Sequence, residues 1–154
     1  MSADGAGPVA IPPPVIYVAA LLLGLWLDPL WPISPLPESV AYSIGALFVV
    51  ASVLIVPFAF LKFRRAGTPF NVRKPATALV TEGPYRYSRN PGYVALTLFY
   101  LGIALLLRNV WVLLMAAPAL VVMDLWVVRS EERHLEERFG QEYASYKRSV
   151  RRWL

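Results

Sequence analysis

The sequence predicts an all-α integral membrane bundle of about four transmembrane helices, built as one domain over residues 1–154, and three observations predict it. The first is composition: of 154 residues, 57% are apolar and 16% charged, and the mean hydropathy is +0.51. Ordinary soluble domains are far more polar than this. The second is where charge is missing. No charged residue lies between Asp4 and Asp28 or between Glu38 and Lys62, and from Asn90 to Val128 the only charges are Arg108 and Asp124. Each run has the length of a bilayer span, which needs roughly 20 apolar residues. The third is the placement of the cations. Seven Lys and Arg fall from Lys62 to Arg89, one is Arg108, and seven fall from Arg129 to Arg152, which accounts for all 15. A soluble globule and a disordered chain are both excluded.

The first span opens near Pro12, Pro13 and Pro14, where proline suits a first helical turn, and runs from Val15 to Leu27. Asp28, Pro29, Pro32, Ser34, Pro35 and Pro37 then form a turn. The second span covers Val40 to about Leu61, with Pro57 near its end as a candidate kink. The third starts at Asn90 and Pro91, a capping residue followed by a first-turn proline, and ends at Leu107. It is short for a full crossing. Arg108 and Asn109 make a tight connection, and Val110 to about Val128 returns as the fourth span. Two short amphipathic helices are expected after it, Ser130 to Phe139 and a second carrying Tyr143, Tyr146, Val150 and Trp153 on one face. Lys147, Arg148, Arg151 and Arg152 suit that second helix to anionic headgroups.

The turn between the first two spans carries only the acids Asp28 and Glu38, so the positive-inside rule places the 62–92 loop and both termini in the cytoplasm. No Lys or Arg precedes the first span, and a cleaved signal peptide is therefore not expected. In a bacterium the address would be the inner membrane.

With no cysteine and one histidine, His134, the chain has no disulfide, no thiolate nucleophile and no cluster of imidazole ligands, so a metal centre is not expected. The net charge of +5 is explained by membrane topology rather than by nucleic acid. Phosphate-binding glycine loops, hydrolase serine motifs and zinc motifs do not occur. Trp26, Trp31, Trp111 and Trp126 read as interface or packing residues, and His134 as a solvated one.

Arg89 stands just before the start of the third span, whose helix terminus offers free backbone donors and a partial positive charge. A carboxylate or phosphate would be held well there. Glu131 and Glu132 follow the fourth span directly. The third and fourth spans form a hairpin, so the acids return to the membrane face that carries Arg89, and the three make a candidate catalytic group. The competing explanation is that the two acids only compensate the dipole of a helix starting at Ser130. Asp124 lies inside the fourth span, is expensive in lipid, and must face the bundle or a water-filled cavity; a substrate pocket and a helix-pairing contact both satisfy it.

The run LVTEGPYRYSRNPGY, a hairpin of two apolar helices, and then EERHLEERFGQEYASYKRSV resemble the isoprenylcysteine carboxyl methyltransferase family and its wider relatives among membrane phospholipid methyltransferases. The resemblance covers residues 66–150. It implies S-adenosylmethionine as cofactor, contacted by Thr77, Ala78, Leu79 and Val80, then Tyr85, then Asn90, Pro91, Gly92 and Tyr93, with Glu131 closing the site. Arg89 matches the arginine of the family's motif, while Asn90 stands in place of its histidine, keeping hydrogen bonding but losing titration near neutral pH. Thr77 stands where prenylcysteine enzymes often carry a histidine. Arg129 matches a basic residue that relatives place farther upstream and, like Arg89 and Asp124, is a candidate substrate contact.

The residue inventory suits methyl transfer. A sulfonium methyl group is already activated and needs no metal and no covalent intermediate, only a nucleophile held at attacking distance in a partly dried pocket. A carboxylate acceptor is ionised at neutral pH and needs Arg89 for orientation alone; an amine acceptor needs Glu131 or Glu132 to take a proton. The expected partners are a lipophilic small molecule or prenylated substrate and membrane lipids. Two other classes remain open: a nicotinamide-dependent reductase resembling sterol reductases, and a membrane scaffold without catalysis.

Overall fold

The computed structural model describes residues 11–33, 36–65 and 78–154, and every regular element among them is helical. Helix α1 is Pro13–Leu27, α2 is Glu38–Arg65, a 3-10 turn spans Gly83–Arg86, α3 is Pro91–Leu106, α4 is Val110–Phe139 and α5 is Gln141–Ser149. α2 and α4 are long and apolar enough to cross a membrane. α1 and α3 are equally apolar but have 15 and 16 residues, a rise of about 22–24 Å. From Arg129 onward α4 carries charged side chains and lies beyond its apolar stretch.

Small residues set the helix spacings. A Cβ on Gly24 would lie 2.6 Å from the Val112 Cα, so α1 meets α4 backbone to backbone. A Cβ on Gly102 would lie 2.9 Å from the Gly45 carbonyl oxygen, which brings α3 equally close to α2. In an apolar solvent, close approach of this kind replaces the hydrophobic drive that packs soluble helices. The buried core joins Tyr17 of α1, Tyr100 and Ala104 of α3, and Val112, Ala116, Ala119, Met123 and Val127 of α4. Its polar atoms are satisfied internally. The Tyr17 hydroxyl lies 2.6 Å from Thr97 Oγ1, and the Tyr100 hydroxyl donates to the Val112 carbonyl at 2.7 Å.

The α1–α2 and α3–α4 connections meet at one end. Arg108 turns the chain between α3 and α4 with a positive φ of 53°, and its guanidinium pairs with Glu38 and donates through Nε to the Leu36 carbonyl. The one cation standing apart from the two basic clusters is thus neutralised by one of the turn acids. Trp111 Nε1 donates to the Trp31 carbonyl at the same end. Asn109 Oδ1 accepts from the Val112 N–H and caps α4.

α4 differs from the expected span followed by a separate helix. Pro118 lacks the N–H that would bond the Leu114 carbonyl, and a turn at Met115 separates Val110–Leu114 from Ala116–Val122. Met123–Val128 then forms a π-helical stretch, and the helix continues unbroken through Arg129 to Phe139. No helix begins at Ser130, so Glu131 and Glu132 do not compensate a helix dipole. Gly140, at φ 51°, ends α4.

α5 also departs from expectation. It ends at Ser149, and Val150 is extended. Tyr143 and Tyr146 bury against Tyr85 with Leu79, Val80, Leu135, Phe139 and Val150 around them. The apolar face of this helix therefore covers the loop before α3.

Candidate active site

At the end of the bundle opposite Arg108, the start of α3 meets the charged turns of α4. The 16 residues of α3 and the apolar stretch 110–128 of α4 rise by similar amounts, about 24–29 Å, so the hairpin returns to the level at which it began. Tyr93, in the first turn of α3, donates its hydroxyl to Glu131 Oε2 at 2.8 Å. Arg89 Nη2 lies 3.0 Å from Glu132 Oε1, with the two side chains 8% and 6% exposed. Adjacent acids thus take different partners.

Glu132 is shared. Arg152, beyond α5, donates from Nε to Glu132 Oε1 at 3.1 Å and from Nη2 to Oε2 at 2.9 Å, the two-point geometry of a guanidinium on a carboxylate. Its third nitrogen, Nη1, lies 3.3 Å from both oxygens of Asp124. Asp124 also accepts from Trp153 Nε1 at 3.1 Å and from Arg129 Nε at 3.3 Å. The π turn explains the last contact: the Arg129 N–H bonds the Asp124 carbonyl five residues back, so residues i and i+5 share a face. The charge inside α4 is therefore met by protein groups.

The segment carrying Arg152 is also tied to α3 through its backbone. The Arg89 N–H donates to the Arg151 carbonyl at 2.9 Å, and Asn90 Nδ2 and Ser88 Oγ donate to the Arg152 carbonyl at 3.0 and 3.3 Å. Asn90 holds the capping position of α3, but its side chain caps no helix N–H and is committed to this contact. Pro91 and Gly92 form the first turn of α3 beside it.

Tyr146 donates its hydroxyl to the Tyr85 carbonyl at 2.7 Å, fixing the 3-10 turn against α5. Leu79 and Val80 lie on the same cluster, and Ala78 is half-buried next to them. Thr77 lies outside the described residues. Burial, with Glu131 and Tyr146 adding to it, holds the Tyr85 phenol well above its ordinary range. Burial also raises the Glu131 carboxyl; the Tyr93 hydroxyl opposes that rise and the neighbouring Glu132 charge adds to it. Arg152 is held above its ordinary value by its hydrogen bonds to Glu132.

The Arg89 guanidinium is left incomplete. Arg89 Nε and Nη1 are shielded from solvent and have no hydrogen-bond partner. A buried donor without a partner is costly, and a bound anion is one group that would satisfy it. His134 Nε2 is likewise shielded and unpartnered, which differs from the solvated side chain expected. Among the described residues no group of three or more His, Cys, Asp or Glu is placed to hold a metal.

The structure therefore brings Arg89, Glu132, Tyr93 and Glu131 together, as the hairpin argument expects, and joins Arg129 to Asp124. Sequence reasoning missed the inward turn of Arg152 and Trp153. Helical spacing continues through Trp153 in the sequence and gave no signal that the helix stops at Ser149.

An uncharacterized protein of Haemophilus influenzae is 39% identical over 62 residues, which cover 40% of this chain and 98% of that protein. No solved structure matches. The phospholipid methyltransferase family matches over residues 40–142, from α2 through the acids of α4 into the start of α5. The chain belongs to the phospholipid methyltransferase family, whose members are membrane methyltransferases.

Proposed function

We propose that this protein transfers the methyl group of S-adenosylmethionine to a lipophilic acceptor at the cytoplasmic face of the membrane, with α1 to α4 all embedded and both termini on that face. The observation that carries the reading is the buried Arg89 guanidinium with two unpartnered nitrogens, beside a carboxyl held by Tyr93. Those donors fit the carboxylate of an amino acid moiety, so the residues present suit this cofactor. Ala78, Leu79, Val80, Tyr85, Asn90, Pro91, Gly92 and Tyr93 are the residues proposed to hold it, together with Thr77, which lies outside the described residues. S-adenosylmethionine supplies a methyl group already activated on sulfur.

The chain's own residues then have limited tasks. Tyr85 and Tyr93 present aromatic rings, which favour a neighbouring sulfonium. Arg89 orients an anion, and Glu132 keeps Arg89 in place. Glu131, whose proton affinity is raised by burial, is able to accept a proton from an amine acceptor. Two acceptors are supported by separate features. An isoprenylcysteine-type carboxylate suits the free donors of Arg89 and needs no base; the amine of a phospholipid headgroup suits Glu131. Asp124 and Arg129 are the further residues proposed to contact either acceptor.

The test is transfer of labelled methyl from S-adenosylmethionine into total lipid and prenylcysteine substrates by the detergent-purified protein. Label in the organic phase, lost with Glu131→Ala or Arg89→Ala, is the expected result. No transfer, with binding of a reduced nicotinamide instead, would favour the reductase class; binding of neither would favour a scaffold.

A further inference from the structure

We infer that Arg152 is a positioning residue of this site: by taking both oxygens of Glu132, it limits Arg89 to one contact with that carboxylate and keeps Arg89 Nε and Nη1 available for the carboxylate of a bound small molecule. The inference rests on the methyl-transfer reading above and adds a residue that lies outside the family match of residues 40–142.

Glu132 is buried between two guanidinium groups, and it treats them unequally. Arg152 makes the two-point contact, at 3.1 and 2.9 Å, whereas Arg89 reaches Oε1 through Nη2 alone, at 3.0 Å. Without Arg152, Glu132 would be free to close on Arg89 in a two-point pair, drawing Nε into the contact, because that geometry is the strongest one a carboxylate makes with arginine. The donors left for a ligand would then fall.

Arg152 is itself fixed from several directions. Its Nη1 rests on Asp124, which Trp153 and Arg129 orient in turn. Its carbonyl accepts from Asn90 and Ser88, and the carbonyl before it accepts from Arg89. The backbone that delivers the Arg152 side chain is thus the backbone that holds the Arg89 main chain. Arg151, next to it, is exposed and contributes only its carbonyl. The site is built so that Glu132 is saturated from one side and Arg89 is not.

The carboxylate in question belongs either to the cofactor or to the acceptor, and matched ligands separate the two. Affinities of the full-length protein in detergent are measured for S-adenosylmethionine against its decarboxylated form, and for a prenylated cysteine against its methyl ester. Arg152→Gln is expected to weaken one carboxylate-bearing ligand by about tenfold while its carboxylate-free counterpart stays within about twofold. Arg152→Lys, which keeps the charge and loses the planar fork, is expected to fall between, and it serves if the Gln variant does not fold. Loss within the first pair assigns the carboxylate to the cofactor, and loss within the second assigns it to the acceptor. Equal weakening of both members of each pair, or no change in any, overturns the inference while leaving methyl transfer standing. A wild-type protein that binds none of the four overturns the methyl-transfer reading itself.

Discussion

Tyr93 and Glu131 are 38 residues apart in the chain and 2.8 Å apart in space, phenol to carboxylate, across the two arms of the α3–α4 hairpin. This contact and the Arg89–Glu132 pair beside it fix how the arms meet, and they give the two neighbouring acids opposite tasks. Glu132 answers two arginines. Glu131 has a phenol for a partner and no cation within the contacts described.

The first prediction follows from that contrast. Glu132→Gln leaves Arg89 and Arg152 without their shared counter-ion, and unfolding should be easier by about 2–3 kcal/mol. That is below the full value for a buried pair, because Arg152 is 30% exposed. Glu131→Gln should leave stability unchanged or higher at neutral pH while abolishing transfer to an amine acceptor. Thermal unfolding in detergent, run alongside the transfer assay, separates the two.

A pH dependence follows from the Glu131 carboxyl, which lies beyond the apolar stretch of α4. Its folded-state pKa is raised above the unfolded value, chiefly by burial. The folded protein therefore binds the proton more tightly, so the contribution of this group to stability is greatest at low pH and is lost as pH rises through the folded value. Wild type should show that decline in melting temperature and Glu131→Gln should not.

Tyr93→Phe removes a hydrogen bond that favours the Glu131 carboxylate. The carboxyl should then titrate at still higher pH. For an amine acceptor, the acidic limb of the rate profile should shift upward and the rate at neutral pH should fall by roughly tenfold, within the range general-base contacts supply. A profile identical to wild type would remove Glu131 from the reaction.

Tyr146→Phe removes the hydroxyl that donates to the buried Tyr85 carbonyl. A loss of about 1–2 kcal/mol is expected. The turn before α3 should loosen with it, which amide hydrogen exchange over residues 82–88 would detect.

Gly24→Ala tests the packing of the bundle rather than its chemistry. The added Cβ would meet the Val112 backbone at 2.6 Å, where no side-chain rotation relieves it. α1 must move, and destabilisation of about 1–3 kcal/mol is expected from overpacking. Cofactor binding should survive in the fraction that folds.

Much of this was legible in the chain. The uncharged runs marked the four apolar helices, since absence of charge over roughly 20 residues has few other causes. Chain order and helix length were enough to return Glu131 and Glu132 to the level of Arg89. The π stretch at Met123–Val128 was not legible, because a ladder shifted by one residue leaves no trace in apolar composition. Arg152 and Trp153 were misread as the cationic and apolar faces of a surface helix. Helical spacing continues through Val150 on paper, while the real helix stops at Ser149 to satisfy Arg89, Asn90 and Asp124. Glu131 and Glu132 could be read either as dipole compensation or as site residues. The unbroken helix through Val128 removes the first of these explanations.

Equilibrium binding of S-adenosylmethionine to the purified protein, measured for wild type and Arg89→Ala, bears most directly on the role given to the α3–α4 mouth. The account predicts binding by wild type, and a loss of at least about tenfold on removal of the buried guanidinium where its free donors hold the carboxylate of the cofactor. Absence of binding by wild type would contradict it.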